Sequence, residues 1–259
     1  MAVRLFLSCF TMKKGSPRNW GLSRRLPINS SELSDGLSLP LSLESVTVLT
    51  NVVEIHQGRV HPVDKSDLSV VLLTGGTSRR MGTDKAQLEF GTDTLLMFQL
   101  AQIPRGISVI VVGETQETVR EVDFTRESPA GSGPVAAIAA GLDRVKSTEV
   151  ALLAVDTPFA ATHVLELELP IGSDAVIPQD QGGKPQFLAG VYRSKSLRTA
   201  LARLGSPAGK SMRELVAEIP EIEYVQLTQA NAEFFLDIDT PEDLATAREL
   251  LGKRPKVGP

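Results

Sequence analysis

Only one cysteine, Cys9, occurs among the 259 residues. An intrachain disulfide is therefore excluded, and the chain suits a reducing compartment such as the cytoplasm. Histidine is almost as scarce. His56, His61 and His163 are scattered along the chain, so no Cys/His metal cluster can be read from the sequence. Aromatic residues make up 5%, with one Trp and two Tyr. Residues 67–259 carry 19 basic and 26 acidic side chains. An acidic region so poor in aromatics does not have the composition of a nucleic-acid binder. No run of apolar residues approaches the roughly 20 that a membrane-spanning helix needs. The apolar opening, Met1 to Phe10, is short and contains Arg4, and Lys13 and Lys14 follow it instead of preceding it. That is the reverse of a secretory signal.

What remains is a hydrophobic fraction of 42% and a net charge of −4. This is enough for one sizeable domain with a buried core and an appendage. Residues 1–66 hold eight basic and five acidic side chains, and residues 11–45 are rich in Ser, Pro, Gly and Leu without a clear period. We read 1–66 as a disordered leader without catalytic function, with a strand or short helix over Val46 to Ile55. A start codon assigned too far upstream would add such a segment. Residues 67–252 form the working domain and 253–259 a tail.

From Asp67 onward, strand-like and helix-like stretches alternate. Strands are expected at Leu68–Leu73, Ile107–Val112, Val150–Val155, Ala175–Pro178, Phe187–Tyr192, Tyr224–Leu227 and Phe234–Ile238. Helices are expected at Thr94–Ile103, Gln116–Glu121, Pro134–Val145, Ala161–Leu169, Ser194–Leu204, Ser211–Ile219 and Thr240–Leu251. Serines suit the starts of Ser194–Leu204 and Ser211–Ile219, and Thr240 with Pro241 suits the start of the last helix. Continuous Ile/Val runs mark strands covered on both faces. The alternation predicts a three-layer α/β/α domain, Rossmann-like, around a mainly parallel, mixed sheet. Ligands in such sheets sit at the carboxyl ends of the strands. Segments 74–85, 127–134 and 156–158 each follow a strand, so all three are expected on that edge.

The most informative stretch runs from Leu73 to Lys85. A buried strand opens into Thr74-Gly75-Gly76, then Ser78, Arg79, Arg80 and Met81-Gly82-Thr83-Asp84-Lys85. Glycines let backbone N–H groups approach phosphates, and Arg79, Arg80 and Lys85 can neutralise their charge. The spacing is neither that of the P-loop nor G-x-G-x-x-G. Gly209-Lys210-Ser211 lacks the upstream glycine and strand of a P-loop and reads as a helix start. Asp156 closes a buried strand ahead of Thr157-Pro158-Phe159. A metal-binding carboxylate and a helix cap both fit that position. Glu127 to Pro134 is a glycine-bearing loop that enters a helix, and a flexible surface loop is the alternative reading.

The Leu73–Lys85 stretch resembles the signature L-x-G-G-x-S-x-R-M-G-x-D-K of the molybdenum cofactor guanylyltransferases and their relatives among nucleotidyltransferases. The likeness spans about residues 67–250. It implies that Leu73, Thr74, Gly75, Gly76, Ser78, Lys85, Glu127 and Asp156 bind the nucleotide. It assigns catalytic roles to Arg80, Lys85 and Asp156, makes Asp156 a Mg²⁺ ligand and offers Asp239 as a second, for which a start-of-helix aspartate is the alternative reading. Lys184 to Tyr192 resembles the segment shaping the acceptor side of the pocket. Asp237 to Leu244 resembles the closing Asn/Asp-x-Asn/Asp-Thr-Pro-Glu-Asp/Glu-Leu motif. Three positions depart from the pattern. Glu127 stands where Asp is usual, Ala137 replaces a glycine, and Gly113-Glu114 stands where many members carry Asn.

The implied reaction is transfer of GMP from GTP to Mo-molybdopterin, with Mg²⁺ as cofactor and pyrophosphate as co-product. Cytidylyl transfer, or another nucleotidyl transfer to a related phosphate acceptor, is the alternative within the class. Outside it stands a noncatalytic nucleotide-binding or cofactor-delivery protein. The implied partners are GTP, Mo-molybdopterin, and the molybdoenzymes or cofactor-biosynthesis proteins that would take the product. Neither nucleic acid nor a membrane is among them.

Overall fold

A computed structural model describes residues 67–75, 85–229 and 231–253, and the backbone of five strands nearer the start. Two units divide the chain, Met1–Asp64 and Lys65–Pro259. In the first, β1 (Arg4–Thr11) pairs antiparallel with β2 (Gly21–Asn29). There too, β3 (Ser45–Val48), β4 (Val53–His56) and β5 (Arg59–Pro62) form a three-stranded antiparallel sheet. The span Val46 to Ile55 thus falls across β3 and β4.

The second unit is built on a seven-stranded sheet. Its elements run β6 (Leu68–Leu73), the short hairpin β7 (Glu89–Phe90) and β8 (Asp93–Thr94), α1 (Leu95–Gln102), β9 (Ser108–Val112), β10 (Asp123–Thr125), α2 (Pro134–Leu142) and β11 (Glu149–Ala154). They continue through α3 (Ala160–Glu166), β12 (Ala175–Gln179), β13 (Ala189–Arg193), α4 (Ser194–Leu204), α5 (Met212–Ala217), β14 (Ile222–Gln226) and α6 (Pro241–Lys253). The sheet order is β10-β9-β6-β11-β13-β12-β14. Only β13 runs against its neighbours; the other pairings are parallel.

All six residues of β6 are buried. Because side chains alternate across a strand, its residues feed two cores. Leu68, Val70 and Leu72 pack with Leu95, Leu96 and Leu100 of α1, Val164 of α3 and Leu244 of α6. Val71 and Leu73 pack with Val135 and Ile138 of α2, Leu197 of α4 and Leu215 of α5. Helices therefore cover both faces, as the continuous apolar runs required. Contact on the α2 side is close. A Cβ at Gly141 would lie 2.6 Å from Val71 Cγ1 and 2.9 Å from Val112 Cγ2. On the other side Phe90, Phe98 and Phe159 meet edge to face, with centroids 4.8 to 5.6 Å apart. The three rings join the hairpin, α1 and the segment after β11.

Several local expectations change. Gln116–Glu121 is not a helix. Arg120 holds that segment across the end of α1 by donating to the carbonyls of Ile103, Pro104, Arg105 and Ile107 at 2.6 to 3.1 Å. Phe234–Ile238 is not a strand. A 3₁₀ turn covers Ala232–Phe235, and the Phe234 ring packs 4.4 Å from that of His163. The strand expected at Phe187–Tyr192 lies at Ala189–Arg193, because residues 180–188 form a folded loop. Ser194 lies inside α4 and does not cap it, whereas Ser211 caps α5 in a reciprocal box with Glu214. Strand β10 was not anticipated.

Candidate functional site

Parallel strands bring the ends of β6, β9, β10, β11 and β12 to one edge of the sheet. Thr74-Gly75, Gly113-Glu114, Glu127, Asp156 and Asp180 begin the segments that leave it. Lys85 returns to this edge at the start of a 3₁₀ turn, Lys85–Gln87, whose Ala86 is fully buried.

The Lys85 Nζ lies 3.2 Å from Asp156 Oδ2 and 2.6 Å from Asp239 Oδ1. Side-chain exposure is 9% for Lys85, 30% for Asp156 and 63% for Asp239. Loss of solvent alone would lower the lysine pKa, but hydrogen bonds and charge from the two carboxylates outweigh it and the net shift is upward. The group is a held ammonium.

Asp156 occupies a tight turn. The Val155 amide donates to Leu73 O at 2.9 Å, and the Thr157 amide and hydroxyl donate to Ala154 O at 3.2 and 3.0 Å. Asp239 stands just ahead of α6. The Asp243 carboxylate accepts from the Thr240 hydroxyl at 2.9 Å and from the amides of Asp239 and Thr240, and the Thr240 hydroxyl in turn accepts from the Asp243 amide at 3.2 Å. These donors hold the Asp243 carboxyl below its ordinary pKa, the Thr240 side chain first among them. Asp237 shifts upward, first through loss of solvent and then through the charges of Asp156 and Asp239.

The rest of the expected nucleotide edge is partly committed to the fold. Leu73 O accepts from Val155, and the Thr74 amide and hydroxyl both donate to Val112 O at 3.0 Å. A Cβ at Gly113 would fall 1.9 Å from the Thr74 hydroxyl oxygen. Thr74 thus fills the space that a side chain at position 113 would use. Glu127 Oε1 accepts the Gly131 amide at 2.8 Å and closes its own loop, which Gly209 braces by donating to Ser132 O at 2.8 Å. Glu114 is ion-paired with Arg126. Gly76, Ser78, Arg79 and Arg80 lie outside the described residues, as does the stretch Met81-Gly82-Thr83-Asp84.

A groove of about 560 Å³ opens on the same side of the sheet, with Asp180, Lys184, Gln186, Phe235 and Asp237 among its walls. Lys184 and Gln186 come from the segment expected on the acceptor side.

Asp156 and Asp239 bring two hard oxygen donors to one cationic point. That suits Mg²⁺, which takes one or two carboxylates and completes its shell with phosphate oxygens and water. Among the described residues no group of three or more His, Cys, Asp or Glu could hold a metal, so an all-protein cage does not occur there. Sequence reasoning missed Gln99 and Gln102 of α1, which brace the Asp156 turn. Their spacing marked only an apolar helix.

Lys85, Asp156 and Asp239 thus meet at the carboxyl ends of a mainly parallel sheet. The MobA-like NTP transferase domain model matches residues 70–223, and the chain belongs to that family of nucleotidyltransferases. A probable molybdenum cofactor guanylyltransferase of Opitutus terrae is 33% identical over 164 residues, covering 60% of this chain and 80% of that protein. One from Methanosarcina mazei is 28% identical over 202 residues, covering 70% and 89%. Among solved structures, molybdopterin-guanine dinucleotide biosynthesis protein A from Archaeoglobus fulgidus shares the fold. Its TM-score is 0.57 at 21% identity, covering 72% of this chain and all of that one.

Proposed function

We propose that this protein transfers GMP from GTP to Mo-molybdopterin, forming molybdopterin guanine dinucleotide and pyrophosphate with Mg²⁺. One observation carries the reading: Lys85 stands between Asp156 and Asp239 at 3.2 and 2.6 Å on the carboxyl edge. The names of the curated relatives supply the substrates. A terminal phosphate oxygen of the acceptor attacks the α-phosphorus of GTP. The P–O bond to the β-phosphate breaks, and the electron pair leaves with pyrophosphate. A phosphate monoester is already ionised, so no protein nucleophile is required. Catalysis is then positioning plus charge neutralisation.

Lys85 and Arg80 are assigned to the phosphate oxygens, with Ser78 and the amides of Gly75 and Gly76 cradling the nucleotide. Asp156 and Asp239 would hold Mg²⁺, which when bound supplies further charge neutralisation on the phosphates. Lys184 and Gln186 face the acceptor from the groove. Among the described residues no helix is long and apolar enough to cross a membrane, and we assign the protein to the cytoplasm. Residues 1–66 are assigned no part in transfer.

The test is pyrophosphate release by the full chain with Mg²⁺, Mo-molybdopterin and each of GTP, CTP, ATP and UTP in turn. Release with GTP alone is the expected result. Release with CTP alone moves the base assignment. Silence with all four, from folded protein, overturns the reading in favour of a noncatalytic binder.

A further inference from the structure

Gln99 has no counterpart in the chemistry above. It lies on the buried stripe of α1 with Leu95, Leu96 and Leu100, and its exposure is 0%. An apolar residue would pack at such a position without the cost of burying an amide. Here the NH₂ half of the amide is used, while Oε1 is buried without a hydrogen-bond partner among the described residues. Nε2 donates to Ala154 O and to Thr157 O, each at 2.9 Å. Those two carbonyls flank Asp156 on either side. One NH₂ group has a fixed fork of two hydrogens, so a single side chain sets the width of the turn that carries the carboxylate. One helical turn further, Gln102 Nε2 donates to Pro158 O at 2.6 Å. From the opposite direction, the Ile238 amide donates to Asp156 O at 2.8 Å. The turn around Asp156 is therefore held from α1, and the Asp156 carbonyl from the segment that carries Asp239.

We propose that Gln99 is a positioning residue of the transfer site, fixing Asp156 against Lys85 and against the metal-bound nucleotide without touching either. This rests on the role of Asp156 in the function proposed above. Reacting groups must be held within about 0.5 Å of productive geometry, and outer partners of metal-binding carboxylates are typically worth 10- to 100-fold in metal affinity or activity.

The test uses the full chain and Gln99→Met, which preserves length and apolar packing while removing both donors. Mn²⁺ in the presence of GTP is the probe, followed by electron paramagnetic resonance without acceptor, so that binding is read apart from turnover. The expected result is an affinity for Mn²⁺·GTP lower by about 10-fold or more, with kcat falling and the acceptor KM within about 2-fold. Leu100→Ala, a core change on the same helix, is expected to lower Tm while leaving that affinity within about 2-fold. If Gln99→Met does not fold, Gln99→Asn, one methylene too short to span both carbonyls, carries the same measurement. An unchanged affinity in a folded Gln99 variant overturns the proposal, as does an equal loss in Leu100→Ala. A wild-type protein that binds Mn²⁺·GTP in a Gln99-dependent way yet releases no pyrophosphate would sink the proposed transfer and leave this inference standing.

Discussion

The amide of Ile238 is hydrogen-bonded at 2.8 Å to the carbonyl oxygen of Asp156, joining the backbone of the β11 turn to the segment that ends in Asp239. The two carboxylates around Lys85 are thus linked by main chain as well as by charge. Residues that share a partner in this way do not act additively. Asp156→Ala is expected to abolish turnover with the far-ultraviolet circular dichroism unchanged. Asp239→Asn, at the more exposed position, is expected to reduce it. Measured against the single variants Asp156→Asn and Asp239→Asn, the double variant should lose less than the two single losses multiplied together, read as steady-state pyrophosphate release.

Lys85→Ala is expected to cost about 10² or more in rate, the scale of losing a preorganised charge-stabilising donor. Lys85→Arg should restore little, because a planar guanidinium does not fit where a compact, nearly enclosed ammonium meets two carboxylates. Retention of most activity by Lys85→Ala would remove the residue from the mechanism.

Thr74 and Gly113 form a reciprocal pair, since a Cβ at 113 would lie 1.9 Å from the Thr74 oxygen. Gly113→Ala is expected to destabilise by about 1–3 kcal/mol, the usual cost of overpacking. Thr74→Ala in the same chain should recover part of that loss. Thermal melts of the two single variants and the double variant decide it: a double variant no more stable than Gly113→Ala would break the pairing.

Glu214 is expected to titrate near pH 2. The Ser211 amide and hydroxyl and the Lys210 ammonium lower its pKa from 4.5 to about 2. A lowered carboxyl stabilises the fold above its unfolded value and loses that contribution as pH falls from about 4.5 toward 2. Ser211→Ala should raise the Glu214 value in an NMR titration and flatten the dependence of Tm on pH in this window. A value unmoved by Ser211→Ala would remove the Ser211 hydroxyl as a cause and leave the backbone amide at 211 and the Lys210 ammonium.

Much of this architecture was legible from periodicity. Leu68–Leu73 emerged with the expected bounds because burial on both faces demands an unbroken apolar run. Thr240-Pro241 marked the start of α6 because capping chemistry is local. Lys85, Asp156 and Asp239 were each named from motifs, and the fold brings them to one point. The failures have a common physical origin in side chains that reach across sequence. Nothing near Arg120 announces four carbonyls at the end of α1. Gln99 looks like a polar interruption of an apolar helix, because its partners are 55 and 58 residues away. Glu127 was legible as a loop carboxylate, but its closure onto Gly131 depends on how the glycines turn.

The reversed direction of β13 shapes what the enzyme can become. A parallel strand after β12 would have to carry the chain back across a layer before re-entering the sheet. Because β13 starts where β12 ends, residues 180–188 never leave the working edge, and Asp180 folds them on themselves by accepting the amides of Gly182 and Lys184, each at 2.9 Å. This wall of the pocket is a loop folded on itself and tied to the sheet where the Tyr192 hydroxyl donates to Phe187 O at 2.7 Å. It can change sequence without altering the register of β6 and β11, which carry the segments proposed to bind the nucleotide. On the function proposed above, acceptor choice is thereby separable from the Lys85, Asp156 and Asp239 cluster, and divergence toward new substrates in this architecture has a ready place to begin.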